Sequence, residues 1–162
     1  MTGAVTNEGT GAAGALLADA HEPQMHVGYL IRRAQQIHVA VWARVVSAEV
    51  SSVQYSILVT LARLGEASQR ELCDAAGLDR STIAELLRRM ERTGLIERHR
   101  SAADGRRNIV RLSELGRAER ARLKPLVMQV QHELTAGMSA VERSELERGL
   151  SRMIAAHGAE LP

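Results

Sequence analysis

Apolar residues recur at helical spacing through most of this chain and read as strands in only one short part of it. From Met25 to about Val50, the residues Val27, Leu30, Ile31, Ala34, Ile37, Val41 and Val45 form one stripe, which predicts a long helix. A second helix is predicted from Ser52 through Leu64, with Val53, Ile57, Leu58, Leu61 and Leu64 on its apolar side and Gly65 as its stop. Ser68 then caps a short amphipathic helix reaching Ala76, and Glu71 supplies the other half of a capping box. Gly77-Leu78 breaks that helix, and Asp79 starts another whose inner face is Ile83, Leu86, Leu87 and Met90. Thr93-Gly94 ends it, with Gly94 suited to the left-handed position after a last turn. Two strand-like runs follow, beginning at Leu95 and at Asn108, joined by a polar loop that contains Asp104-Gly105-Arg106-Arg107. Ser113 caps a helix running towards Gly137, in which Pro125 removes one hydrogen bond and predicts a bend at Arg122 to Pro125. Ser139 and Glu142 make a last capping box, opening a helix that ends near His157-Gly158.

Two short helices with a two-residue break, followed by a hairpin, make a winged helix-turn-helix. The expected fold is therefore mostly α with a small β wing. Residues 52–112 form the DNA-binding lobe, and helices at 25–50 and 113–157 serve dimerisation. Residues 1–22 are Gly, Ala, Thr and small polar residues with little periodicity, and read as a flexible arm before a single domain at 23–162. On the second helix of the motif, Ser81, Glu85, Arg88 and Arg92 point away from the apolar face. Hydroxyls and guanidiniums in that position suit base edges and phosphates in a major groove. An ordinary solvated helix face explains the same residues; the hairpin that follows them favours DNA. The candidate DNA-binding residues are Ser68, Gln69, Arg70, Arg80, Ser81, Thr82, Glu85, Arg88 and Arg89 on the helices, with Asp104, Arg106 and Arg107 in the loop.

Charge strengthens this reading locally. The net charge of the 162 residues is only +2, but the segment from Leu78 to Arg111 holds nine arginines against five acids. No run approaches membrane-spanning length, and no basic-then-apolar leader opens the chain, so a cytoplasmic protein is expected. The one cysteine, Cys73, excludes an intramolecular disulfide and reads first as a small buried apolar residue. Neither a Gly-rich phosphate loop, nor HExxH, nor a nucleophile elbow is present, which argues against an enzyme, and no cofactor is implied. The helices outside the motif carry more apolar surface than it can cover. An isologous homodimer on a pseudo-palindromic operator follows as the expectation.

The run LDRSTIAELLRRMERTGLIERHRSAADGRRNIVRLSELG, from Leu78 to Gly116, resembles the core of MarR-type transcriptional regulators. The resemblance extends from about Val27 to the C-terminus. It implies that Arg106 enters the minor groove and that Asp104 orients it. The segment HVGYLIRRAQQIHVAVW, from His26 to Trp42, is similar to the first helix of the branch that responds to hydroxybenzoates or hydroxycinnamates. That similarity implies a small aromatic acid as effector, with Arg32 on its carboxylate and His38 in contact with it. The residues themselves suit such a ligand, because an arginine offers a bidentate fork and an indole offers a flat wall. The candidate ligand-binding residues are His26, Arg32, His38 and Trp42, although a core histidine, an interfacial arginine and a core tryptophan would look the same. Alternatives are a regulator of the same fold responding to other phenolic compounds, or a redox- or metal-responsive one using Cys73, His21, Glu22 and His26.

Overall fold

A computed structural model describes residues 26–100 and 108–157. The order of elements is α1 (Val27–Val45), α2 (Ser52–Leu64), β1 (Glu66–Ser68), α3 (Gln69–Ala76), α4 (Arg80–Arg92), β2 (Ile96–Arg100), β3 (Asn108–Leu112), α5 (Glu114–Leu134) and α6 (Ala140–His157). The chain divides into two units, Met1–Ile37 and His38–Pro162. The described part of the first is the leading half of α1, where Val27, Leu30, Ile31 and Ile37 are all exposed.

In the second unit, α2 to β3 form the winged helix-turn-helix. Its core gathers Ile57, Leu58 and Leu61 of α2, Leu72 of α3, Ile83, Leu87 and Met90 of α4, and Val110 and Leu112 of β3. Trp42, Val46 and Val50 join it from the end of α1 and the turn beyond, and Leu123 and Val130 join it from α5.

The expected ends of the elements coincide with local caps. Ser68 and Glu71 form the capping box of α3, and Ser139 and Glu142 exchange the same bonds at the start of α6. Ser51 and Gln54 form a third box at α2, where Gln54 is buried. Gly77 and Gly94 take the left-handed backbone at φ 61° and 73°, ending α3 and following α4. Three details differ from expectation. The first helix stops at Val45 rather than near Val50, since the Ser47 hydroxyl accepts from the Glu49 and Val50 amides and turns the chain. The sheet has three strands, in the order β1-β3-β2, all antiparallel. Finally, α5 continues through Pro125 as one 21-residue helix, so the proline does not interrupt it.

Candidate nucleic-acid interface

Asp79 organises the start of α4. Its carboxylate accepts from the Ser81 and Thr82 amides at 2.8 and 2.9 Å, from the Thr82 hydroxyl at 2.5 Å, and from the Ser81 hydroxyl. The hydroxyl of Ser81 first, then that of Thr82, hold this carboxyl far below the usual carboxylate range. The back of α4 is sealed by Ile83, Leu87 and Met90. Its front leaves Ser81, Thr82, Glu85, Arg88, Arg89 and Arg92 exposed, and Arg88 pairs with Glu85 one turn before it. An exposed pair of this kind is worth roughly 1 kcal/mol or less, so DNA can replace it at little cost.

The starts of α3, α4 and β3 surround a cleft of about 600 Å³ lined by Ser68, Gln69, Arg70, Arg80 and Asn108. Gln69 Nε2 ties the two helices together by donating to the Arg80 carbonyl at 3.2 Å. Arg70 and Arg80 are exposed and make no ion pair among the described residues, which suits a phosphodiester. Ser68 is buried, and both its amide and its hydroxyl donate to Glu71, so its part in the cleft is to cap α3. Asn108 escaped the sequence reading. Only the pairing of β3 beside β1 brings it to the cleft, and no local pattern marks it.

The strand arginines divide. Arg98 lies 2.9 Å from Glu91 and Arg111 lies 2.8 Å from Glu97, so both are neutralised within the lobe, while Arg100 is exposed. Asp104, Arg106 and Arg107 lie outside the described residues.

Of the candidate ligand residues, His26 is exposed just ahead of α1, and Arg32 is exposed with its guanidinium 5.1 Å from the centre of the Tyr29 ring. In the second unit, His38 is half-buried with its ring 6.0 Å from that of Trp42. Trp42 is 6% exposed, lies 5.7 Å from the Tyr55 ring, and donates from Nε1 to the Val50 carbonyl at 2.7 Å. Its indole N–H is thus committed to the chain, leaving the ring alone to face anything else. Cys73 is half-buried and packs against the core. His21 and Glu22 lie outside the described residues, among which no three His, Cys, Asp or Glu side chains converge as a metal site would require.

With this geometry in place, the comparisons decide the family. The model of the MarR family matches residues 49–107, from just before α2 to the wing loop. The chain is 30% identical over 129 residues to the HTH-type transcriptional repressor NicR of Pseudomonas putida, covering 79% of this chain and 82% of that one. The chain belongs to the MarR family. Its structure matches the PcaV transcriptional regulator of Streptomyces coelicolor, solved with its natural ligand, with a TM-score of 0.80, 35% identity and coverage of 85% and 98% of the two chains. It also matches BpsR of Bordetella bronchiseptica, whose DNA binding is regulated by 6-hydroxynicotinic acid, with a TM-score of 0.78, 26% identity and coverage of 83% and 97%. This MarR-family chain is accordingly a DNA-binding transcriptional regulator. No helix among its described residues is long and apolar enough to cross a membrane.

Proposed function

We propose that this MarR-family protein is a ligand-released repressor. It acts in the cytoplasm as a homodimer on a pseudo-palindromic operator, and a small aromatic carboxylate of the hydroxybenzoate or hydroxycinnamate type releases it. The observation that carries the DNA half is α4, whose sealed back and exposed hydroxyl-and-arginine front stand beside a cleft holding Arg70 and Arg80, which make no ion pair among the described residues. Ser81, Thr82, Glu85 and Arg88 face the major groove in this reading, Gln69, Arg70, Arg80 and Arg89 approach the phosphates, and Arg106, oriented by Asp104, enters the minor groove.

The ligand half rests on α1. Arg32 has no acid partner among the described residues, and a guanidinium drawn out of water needs an anion. His38 and Trp42 follow it on the same helix, with His26 just ahead of it. The similarity to BpsR, a regulator that answers to a hydroxylated aromatic acid, supports the same ligand class here. The ligand would favour a spacing of reading helices that misfits the operator, since release requires unequal binding to the two states.

The test is Arg32→Ala. Its operator affinity should stay within about twofold of the wild type, because Arg32 lies outside the winged lobe, while release by aromatic acids is lost. Normal release would place the carboxylate elsewhere, and loss of DNA binding would make Arg32 a structural residue.

A further inference from the structure

The bonds around Asp79 say which way the protons of the α4 reading surface point. An ionised carboxylate has no hydrogen to give, so both hydroxyls bonded to it must be the donors. Ser81 and Thr82 carry one hydroxyl proton each, and both protons are directed at Asp79. What remains on the hydroxyl oxygen of each of these exposed residues is lone pairs. Glu85, one turn beyond Ser81 on the same face, is also an acceptor.

We propose that Asp79 sets the polarity of the reading surface, so that Ser81 and Thr82 accept hydrogen bonds from the major groove and donate none. This rests on the reading of α4 as the helix that enters the groove. Its consequence is selective. Phosphate oxygens only accept, so neither hydroxyl can serve as a phosphate anchor. Guanine N7 and O6 and thymine O4 also only accept, and are refused. The groove's donors are the amino groups of adenine N6 and cytosine N4, and the half-site must place adenine or cytosine opposite the start of α4. Asp79 does not touch DNA in this scheme; it is a positioning residue that acts through the two hydroxyls. The low proton affinity of Asp79 keeps this polarity through the neutral range.

The experiment starts from a duplex selected out of random DNA by the wild-type protein. Each adenine in a half-site is replaced in turn by purine, which lacks the 6-amino group, and each cytosine by the analogue lacking the 4-amino group. At one or two positions per half-site the wild type should lose about five- to tenfold in affinity. Ser81→Ala/Thr82→Ala should bind the selected duplex more weakly and be indifferent to the same deletions. Asp79→Asn keeps the helix cap, since asparagine caps as well as aspartate, but turns an amide N–H₂ towards one hydroxyl and frees that hydroxyl's proton. Repeating the selection with it should admit guanine or thymine at the affected position. If no amino deletion is silenced in the double variant, or if Asp79→Asn selects the wild-type site unchanged at full stability, the polarity proposal is wrong. Arg88→Ala separates this from failure of the underlying reading. Weaker binding by Arg88→Ala keeps α4 in the groove and sinks only the polarity, whereas wild-type affinity in Arg88→Ala and in the double variant alike removes α4 from the groove and overturns both.

Discussion

A methyl group on Gly116 would meet the Leu95 carbonyl oxygen at 2.0 Å, a distance no side chain tolerates. The first turn of α5 sits directly on the backbone that enters β2, where the Ser113 amide donates to that same carbonyl at 3.2 Å and the Ser113 hydroxyl donates to Gly94. The obstacle is backbone, which cannot rotate away, so the helix itself must lift. Gly116→Ala is expected to cost about 2–4 kcal/mol, read as a lowered urea midpoint with an unchanged slope. A midpoint within experimental error of the wild type would mean that α5 does not lie this close. Neither periodicity nor capping singles out Gly116, because a glycine in the first turn of a helix usually needs no partner. Trp42 and Ser68 show the same limit from the other side. Both have chemistry that suits a binding site, and in the fold both spend it internally, on the Val50 carbonyl and on Glu71.

Carboxylates hold the elements, Asp79 and Glu142 at the starts of α4 and α6 and Glu119 within α5. The hydroxyls of Ser81 and Ser139 lower the carboxyls of Asp79 and Glu142, and Arg122 lowers that of Glu119. A carboxyl lowered in the folded state is still ionised when its unfolded counterpart has begun to take up a proton. The stability it contributes is therefore complete above about pH 5 and is lost as the pH falls through about 4 and below. Urea midpoints measured from pH 6 down to 3 should decline for the wild type and decline less steeply for Asp79→Asn, which cannot take up that proton. Equal slopes would show that the Asp79 cap does not form. Such caps are legible because they involve residues two or three apart, and the expected starts of α2, α3, α4, α5 and α6 all fall within one residue of the observed ones. The strand β1 was not legible. Glu66-Ala67-Ser68 has no strand character of its own and becomes one only through its register with Ile109, Val110 and Arg111.

At the scale of the molecule, α6 has no buried residue, and Val141, Leu146, Leu150 and Ile154 are all exposed along it. Apolar side chains repeated on one helix are the mark of an interface, and the dimer proposed above supplies the cover. Sedimentation at micromolar concentration should show a dimer. Leu150→Arg should shift it towards monomer and weaken operator binding at least tenfold, because two half-sites are then no longer held together. A monomeric wild type that still binds a palindrome tightly would contradict the assembly.

The periodicity, the caps, the two left-handed glycines after the motif helices and the arginine-rich composition of the reading helix can all be read along the chain, because each depends on residues within a turn or two of one another. Which arginines find an acid among the described residues depends on packing. Arg98 and Arg111 look the same as Arg70 and Arg80 along the chain, yet packing sets the first two against Glu91 and Glu97 and leaves the other two at the cleft with Asn108. Charge pairing across strands and helices depends on the register of the sheet and on the seat of one helix against another. Those are set by contacts between residues far apart in the chain, which no local pattern encodes.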